Sequence, residues 1–185
     1  MKSSNKIFIY GAPGVGKTSF SLKLQKKLGC PLIEADYLRE VVAQKENSPE
    51  KDPFIYVGTK EAFRHFGELN EENVIRGLKA VRKSMAPYVA KEILKQSGKL
   101  IMEGSFLDPQ LLANEGKLCL VLTMDEDRHR TQFFKQREQN KNSSEAFLAS
   151  RIIQNCLIQE AKRYSVKIIE NDKDMDNLIE KLSLK

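Results

Sequence analysis

Apolar residues fall in five short runs separated by longer segments of helical period, an alternation that predicts a sheet interleaved with helices. Lys6-Ile7-Phe8-Ile9-Tyr10 reads as the first strand, and Phe20, Leu24 and Leu28 then recur every fourth residue until Gly29 stops the helix. Further strands are expected over Pro31-Leu32-Ile33-Glu34-Ala35, Lys99 to Glu103, Lys117 to Met124 and Val166 to Glu170. Such runs, joined by helices, imply an α/β fold with a five-stranded, mostly parallel sheet covered on both faces, and ligands then bind at the strands' carboxyl ends. Between the second and third strands lies an insertion, about residues 47–98, that is mostly helical: Asn47 to Pro53 is a break, Thr59 to Phe66 a short helix, and Glu71 to Ser97 carries apolar residues at Val74, Leu78, Val81, Met85, Val89 and Ile93. Pro87 is expected to kink or split that long helix.

Composition adds little to this picture. The chain has 185 residues with 41% hydrophobic and 30% charged, which predicts a single domain, 1–185. The net charge of +6 comes from basic residues interleaved with acidic ones, which suits anionic small ligands and makes nucleic acid an unlikely partner. Cys30, Cys119 and Cys156 are odd in number and widely spaced, so neither a disulfide framework nor a zinc site is expected. No apolar run approaches the roughly 18 residues of a membrane span and no signal-peptide core opens the chain, so a cytoplasmic protein with no membrane partner is expected.

The first strand leads straight into Gly11-Ala12-Pro13-Gly14-Val15-Gly16-Lys17-Thr18, a G-x-x-x-x-G-K-[ST] phosphate-binding loop, and Ser19 continues it into the helix. Glycines there let consecutive amides face an anion, and the helix N-terminus adds partial positive charge. Lys17 is expected to reach the β and γ phosphates of ATP or GTP, and Thr18 to offer its hydroxyl to Mg²⁺. The nearest approach to a guanine-reading N-K-x-D, Asn140-Lys141-Asn142-Ser143, has serine at the last position.

Three further stretches carry candidate chemistry. Asp36 closes the second strand with Arg39 one turn on; a carboxylate can orient or deprotonate an acceptor hydroxyl, and an arginine can hold an anionic acceptor. The competing role for Asp36 is to cap the next helix. Glu103, before Gly104, is placed for Mg²⁺ or its water shell. Asp125-Glu126 after an apolar run has the look of a mechanical ATPase element, but Asp125 is favoured as the N-cap of a lid, about residues 125–142, whose Arg128, Arg130 and Arg137 could meet the transferring phosphoryl. His129 within it reads as structural or surface.

The order of Gly11 to Thr18, Asp36-Tyr37-Leu38-Arg39-Glu40, Glu103-Gly104-Ser105-Phe106-Leu107 and Asp125-Glu126-Asp127-Arg128-His129-Arg130 resembles the kinase domain of archaeal 2-phosphoglycerate kinases nearly end to end. The resemblance implies a phosphate-loop kinase fold with ATP and Mg²⁺, and transfer of the γ-phosphoryl to 2-phosphoglycerate. In that reading Lys17, Asp36, Arg130 and Arg137 are catalytic; Asp36, Arg39, Glu103 and Arg128 face the acceptor; Thr18 and Glu103 serve the metal. The residues by themselves leave other acceptors open, a nucleoside, a nucleotide or an RNA-linked hydroxyl. They also leave open a phosphate-loop ATPase working through a protein or nucleic-acid partner.

Overall fold

The computed structural model describes residues 5–135 and 141–171. In chain order the regular elements are β1 (Lys6–Tyr10), α1 (Lys17–Leu28), β2 (Leu32–Glu34), α2 (Ala35–Tyr37), a π-helical turn (Leu38–Ala43), α3 (Gln44–Glu46), two 3₁₀ turns (Pro53–Ile55 and Ala62–His65), α4 (Glu71–Lys95), β3 (Leu100–Gly104), α5 (Pro109–Leu112), β4 (Lys117–Leu122), α6 (Glu126–Phe134), α7 (Lys141–Arg163) and β5 (Lys167–Glu170). All five expected strands are present, within about two residues of the sequence reading.

The strands lie in the order β2-β3-β1-β4-β5, and every pairing is parallel. β1 is central because it is apolar on both faces: Phe8, Ile9 and Tyr10 are fully buried, and so are Leu100, Ile101 and Met102 of β3 beside it. The consequence is positional. The loop that leaves β1 emerges between the carboxyl ends of β3 and β4, where connections run off to opposite sides and an open α/β sheet forms its ligand crevice.

The insertion packs around α4, whose Val74, Leu78, Val81, Met85, Val89 and Ile93 are all buried, the face its periodicity selects. Asn70 caps it by accepting from the amide of Asn73 at 2.9 Å. Of the two outcomes expected at Pro87, the split does not occur: α4 is one helix of 25 residues. Burial of one apolar face along the whole helix outweighs the hydrogen bond that Pro87 removes. The short helix expected at Thr59 to Phe66 shrinks to the 3₁₀ turn Ala62–His65. Arg82 fixes α4 to α7 through a two-pronged ion pair with Glu160, at 2.9 and 3.0 Å. Among the described residues no helix is long and apolar enough to cross a membrane. Cys30, Cys119 and Cys156 are free thiols.

Candidate active site

The phosphate loop is held by its carbonyls. Pro13 O accepts from His129 Nε2 at 2.9 Å and from Ser150 Oγ at 2.7 Å, and Val15 O accepts from Asn171 Nδ2 at 2.8 Å, with the Thr123 hydroxyl 3.4 Å away. Lys17 Nζ donates to Ala12 O at 3.1 Å. With these carbonyls tied down by residues of α6, α7 and the segments after β4 and β5, the loop's amides are left to serve an anion. Gly14 and Gly16 take left-handed φ of 84° and 86°, which a side chain would oppose twice over, since a Cβ would stand 2.9 Å from the Phe133 ring and 2.3 Å from Asn171 Nδ2. Gly16 then starts α1, bringing Lys17 and Thr18 to its N-terminus.

Across the crevice Thr18 Oγ1 donates to Glu103 Oε1 at 2.8 Å, joining two residues 85 positions apart. Glu103 is buried, and burial raises its pKa; Lys17 and the Thr18 hydrogen bond act against the rise, while Asp36 and Glu34 add to it. A hydroxyl and a poorly solvated carboxylate, beside a lysine and a helix N-terminus, make a donor set that fits a magnesium triphosphate. Among the described residues no group of three His, Cys, Asp or Glu could hold a metal by protein ligands alone. An ion at Thr18 and Glu103 would therefore complete its shell with phosphate and water oxygens, the habit of Mg²⁺.

Asp36 sits in the first turn of α2, after Glu34, and ion-pairs with Arg39 at 3.3 Å. The first residue before that helix is Glu34, so the capping role weighed for Asp36 is not the one it plays. Arg39 lies in the π-helical turn, also donates from Nη1 to Val57 O at 3.0 Å, and has a buried Nε with no acceptor among the described residues. The charge of Asp36 adds to the rise in the pKa of Glu103, after burial as the main cause.

The lid arginines fare differently. Asp125 caps α6, accepting from the Arg128 amide at 2.7 Å, as expected. Glu126 is spent on the surface, bound to Arg130 at 3.2 Å, so the pair does not form an ATPase glutamate. Arg130 lies over the Phe147 ring at 4.4 Å, and Arg128 donates to Asn171 O at 3.3 Å. Arg137 lies outside the described residues. His129, by contrast, is buried beneath the loop, with Nδ1 3.4 Å from Arg151 Nη1. Because an arginine can only donate, Nδ1 is the acceptor and Nε2 carries the proton toward Pro13. Burial lowers the pKa of His129, with Arg151 and Lys17 acting in the same sense and the Pro13 bond against it. His129 lies in the Asp125 to Arg130 stretch but its bond to the loop was not expected, and Ser150, Thr123 and Asn171 had no local motif to mark them.

The fold is shared with solved kinases of differing acceptors. Shikimate kinase from Acinetobacter baumannii in complex with shikimate superposes with a TM-score of 0.58 at 16% identity, over 96% of this chain and 89% of that one. A gluconokinase from Sinorhizobium meliloti gives 0.51 at 13% identity over 97% and 90%, and deoxyadenosine kinase from M. mycoides with bound dATP gives 0.52 at 14% over 96% of each. No curated protein matches the sequence. The phosphate loop, β2, β3, β4 and the Thr18–Glu103 contact all lie in the stretch matched by one sequence family, residues 7–154, and the chain belongs to that family, described as AAA domain (AAA_18), with the fold of phosphate-loop kinases.

Proposed function

We propose that the protein is a Mg²⁺-dependent kinase that transfers the γ-phosphoryl of ATP to a hydroxyl of a small anionic metabolite, with 2-phosphoglycerate, giving 2,3-bisphosphoglycerate, the first acceptor to test. One observation carries the reading: a second carboxylate, Asp36, is ion-paired with a cation, Arg39, just past the end of β2, the strand whose Glu34 pairs in register with Glu103. A bare nucleotide switch has no use for that pair, whereas an acceptor hydroxyl with an anionic neighbour does. The kinases of like fold named above act on shikimate, gluconate and deoxyadenosine by their names, and their likeness supports the fold rather than any one acceptor.

Bound MgATP would supply the transferable phosphoryl group and the ion that screens its charge. The chain does the rest. The loop amides and Lys17 orient the β and γ phosphates, and Thr18 and Glu103 hold the ion. Asp36 orients the acceptor hydroxyl and takes its proton as the new oxygen–phosphorus bond forms and ADP leaves, while Arg39 fixes the acceptor's anionic group. α6, packed on the loop through His129 and Phe133, walls off one side from water.

An ADP-release assay across phosphoglycerates, other phosphorylated hydroxy acids, sugars and nucleosides tests this. Turnover that depends on one small acceptor is expected. Turnover stimulated only by RNA, DNA or a protein would overturn it.

A further inference from the structure

α4 has two apolar sides, and only one is spent on the core. Val81, Met85, Val89 and Ile93 are buried, as an amphipathic helix requires. Ala86, Pro87, Ala90 and Leu94 lie at helical spacing on the neighbouring side, where contact with water selects polar residues, and Pro87, Ala90 and Leu94 are exposed. Leu94 is 84% exposed, and Leu111 on the facing α5 is 59% exposed. Between these two walls lies a hollow of about 530 Å³, whose buried lining includes Val89, Ile93, Phe106 and Leu112.

The two walls run the same way. They start together where Arg82 reaches Leu107 O, and both end at the amino edge of the sheet. α4 leads there into Leu100, which pairs with Lys6 of β1, and the opposite wall leads into Gly116, where a Cβ would stand 2.4 Å from Lys6 O. Lys83 therefore stands at one end of the groove and Glu115 at the other, both exposed. The other charged groups of the lining are engaged within the chain, Arg82 with Glu160 and Asp108 as the cap of α5. One face thus holds a hollow and two protruding leucines, with a cation and an anion at opposite ends.

We propose that this face is the interface with a second copy of the chain, the two α4 helices packing antiparallel about a twofold axis near Pro87 and Ala90. Leu94 and Leu111 of each copy then fill the hollow of the other, and Lys83 of each stands against Glu115 of the partner subunit. A small apolar ligand would use the hollow alone, and a charged peptide one end of it; self-pairing uses every feature, because a twofold interface must carry both a projection and its socket. The short side chain of Ala90 lets the helices approach closely. About three turns of α4 and one of α5 make a footprint near the low end of the roughly 1,200–2,000 Å² of a stable interface, so the dimer should be weak, with Kd on the order of 10 μM.

Sedimentation velocity from about 1 to 300 μM tests it and should show a monomer–dimer equilibrium. Leu94→Asp should weaken association at least about tenfold and leave the melting temperature of the monomer unchanged, because so exposed a side chain supports little within one copy. Lys83→Glu alone and Glu115→Lys alone should each weaken self-association several-fold by setting like charges against one another. An equimolar mixture of these two variants should associate about as strongly as the wild type, since every pair across the axis is then opposite in sign. A wild type that stays monomeric to about 300 μM overturns the proposal, whether the groove then takes a small ligand, another protein or residues of its own chain. A dimer indifferent to Leu94→Asp, or a mixture that associates no better than either charge variant alone, overturns this interface. The measurement needs no turnover and stands apart from the kinase reading.

Discussion

Asp36 and Arg39 form one ion pair but are assigned separate tasks, and substitution separates them. Asp36→Asn keeps size and hydrogen-bonding capacity while losing charge and basicity, so kcat should fall on the order of a hundredfold with ATP affinity little changed. Arg39→Ala should act chiefly on acceptor KM, with Arg39→Lys restoring only part because it lacks the fork. Equal effects of the two on kcat and KM, read by steady-state kinetics, would mean that they act only by holding each other. Glu103 offers a test with an opposite sign for stability and activity. Its folded pKa lies above its unfolded one, so ionisation at neutral pH costs stability, and the favourable contribution is whole only below about pH 4.5. Glu103→Gln should therefore raise the melting temperature of the nucleotide-free protein at pH 7, with the gain shrinking as pH falls toward that value, and should lose Mg²⁺-dependent turnover. Thermal melts with and without MgATP, across pH, would expose a variant that loses both.

At the scale of elements, α6 is joined to the phosphate loop more closely than a free lid would be. His129 and Phe133 meet Pro13 and Gly14, and Phe133, Phe134 and Phe147 pack edge-to-face or tilted with ring centroids 5.2–5.9 Å apart, so α6, α7 and the loop form one packed unit. Neutral His129 is the form that donates to Pro13 and accepts from Arg151. Its pKa is depressed in the folded state, so its contribution is present above the ordinary value of about 6.5 and is lost as pH falls below it. His129→Gln can still donate to Pro13 but cannot titrate. The variant should keep most ATP affinity and flatten the fall in melting temperature as pH drops below about 6.5, whereas His129→Ala should raise ATP KM several-fold. A wild-type curve that is already flat there would remove His129 from this role.

For the whole molecule, the joint between insertion and sheet is Arg82. It is buried, bonds Glu160 on α7 with two prongs, and reaches Leu107 O at 3.4 Å, so one side chain ties α4, α7 and the segment after β3. Removing one partner of a buried pair costs about 3–5 kcal/mol, a large share of the roughly 5–15 kcal/mol that keeps a domain folded. Arg82→Ala should lower the melting temperature on the order of 10 °C, and pairing it with Glu160→Met should recover part of the loss because no charge is then stranded. A drop of only a degree or two would place the joint elsewhere.

What the sequence by itself determined is what contiguous residues can encode. The loop Gly11 to Thr18, its strand and helix, the five apolar runs and the buried face of α4 rest on spacings within one element, and the fold puts them as expected. The cap at Asp125 is as local, and it too is found. The tertiary structure decided what depends on which strand lies next to which. Thr18 meets Glu103 because β3 pairs with β1, and Pro13 meets His129 and Ser150, 116 and 137 residues away, because β4 pairs on the other side. It also turned Arg130 onto Phe147, kept α4 whole across Pro87, and drew Lys60 toward Arg39 from an insertion whose sequence carries no motif. Periodicity fixes which face of an element is buried; only the assembled sheet fixes what that face and its loops meet.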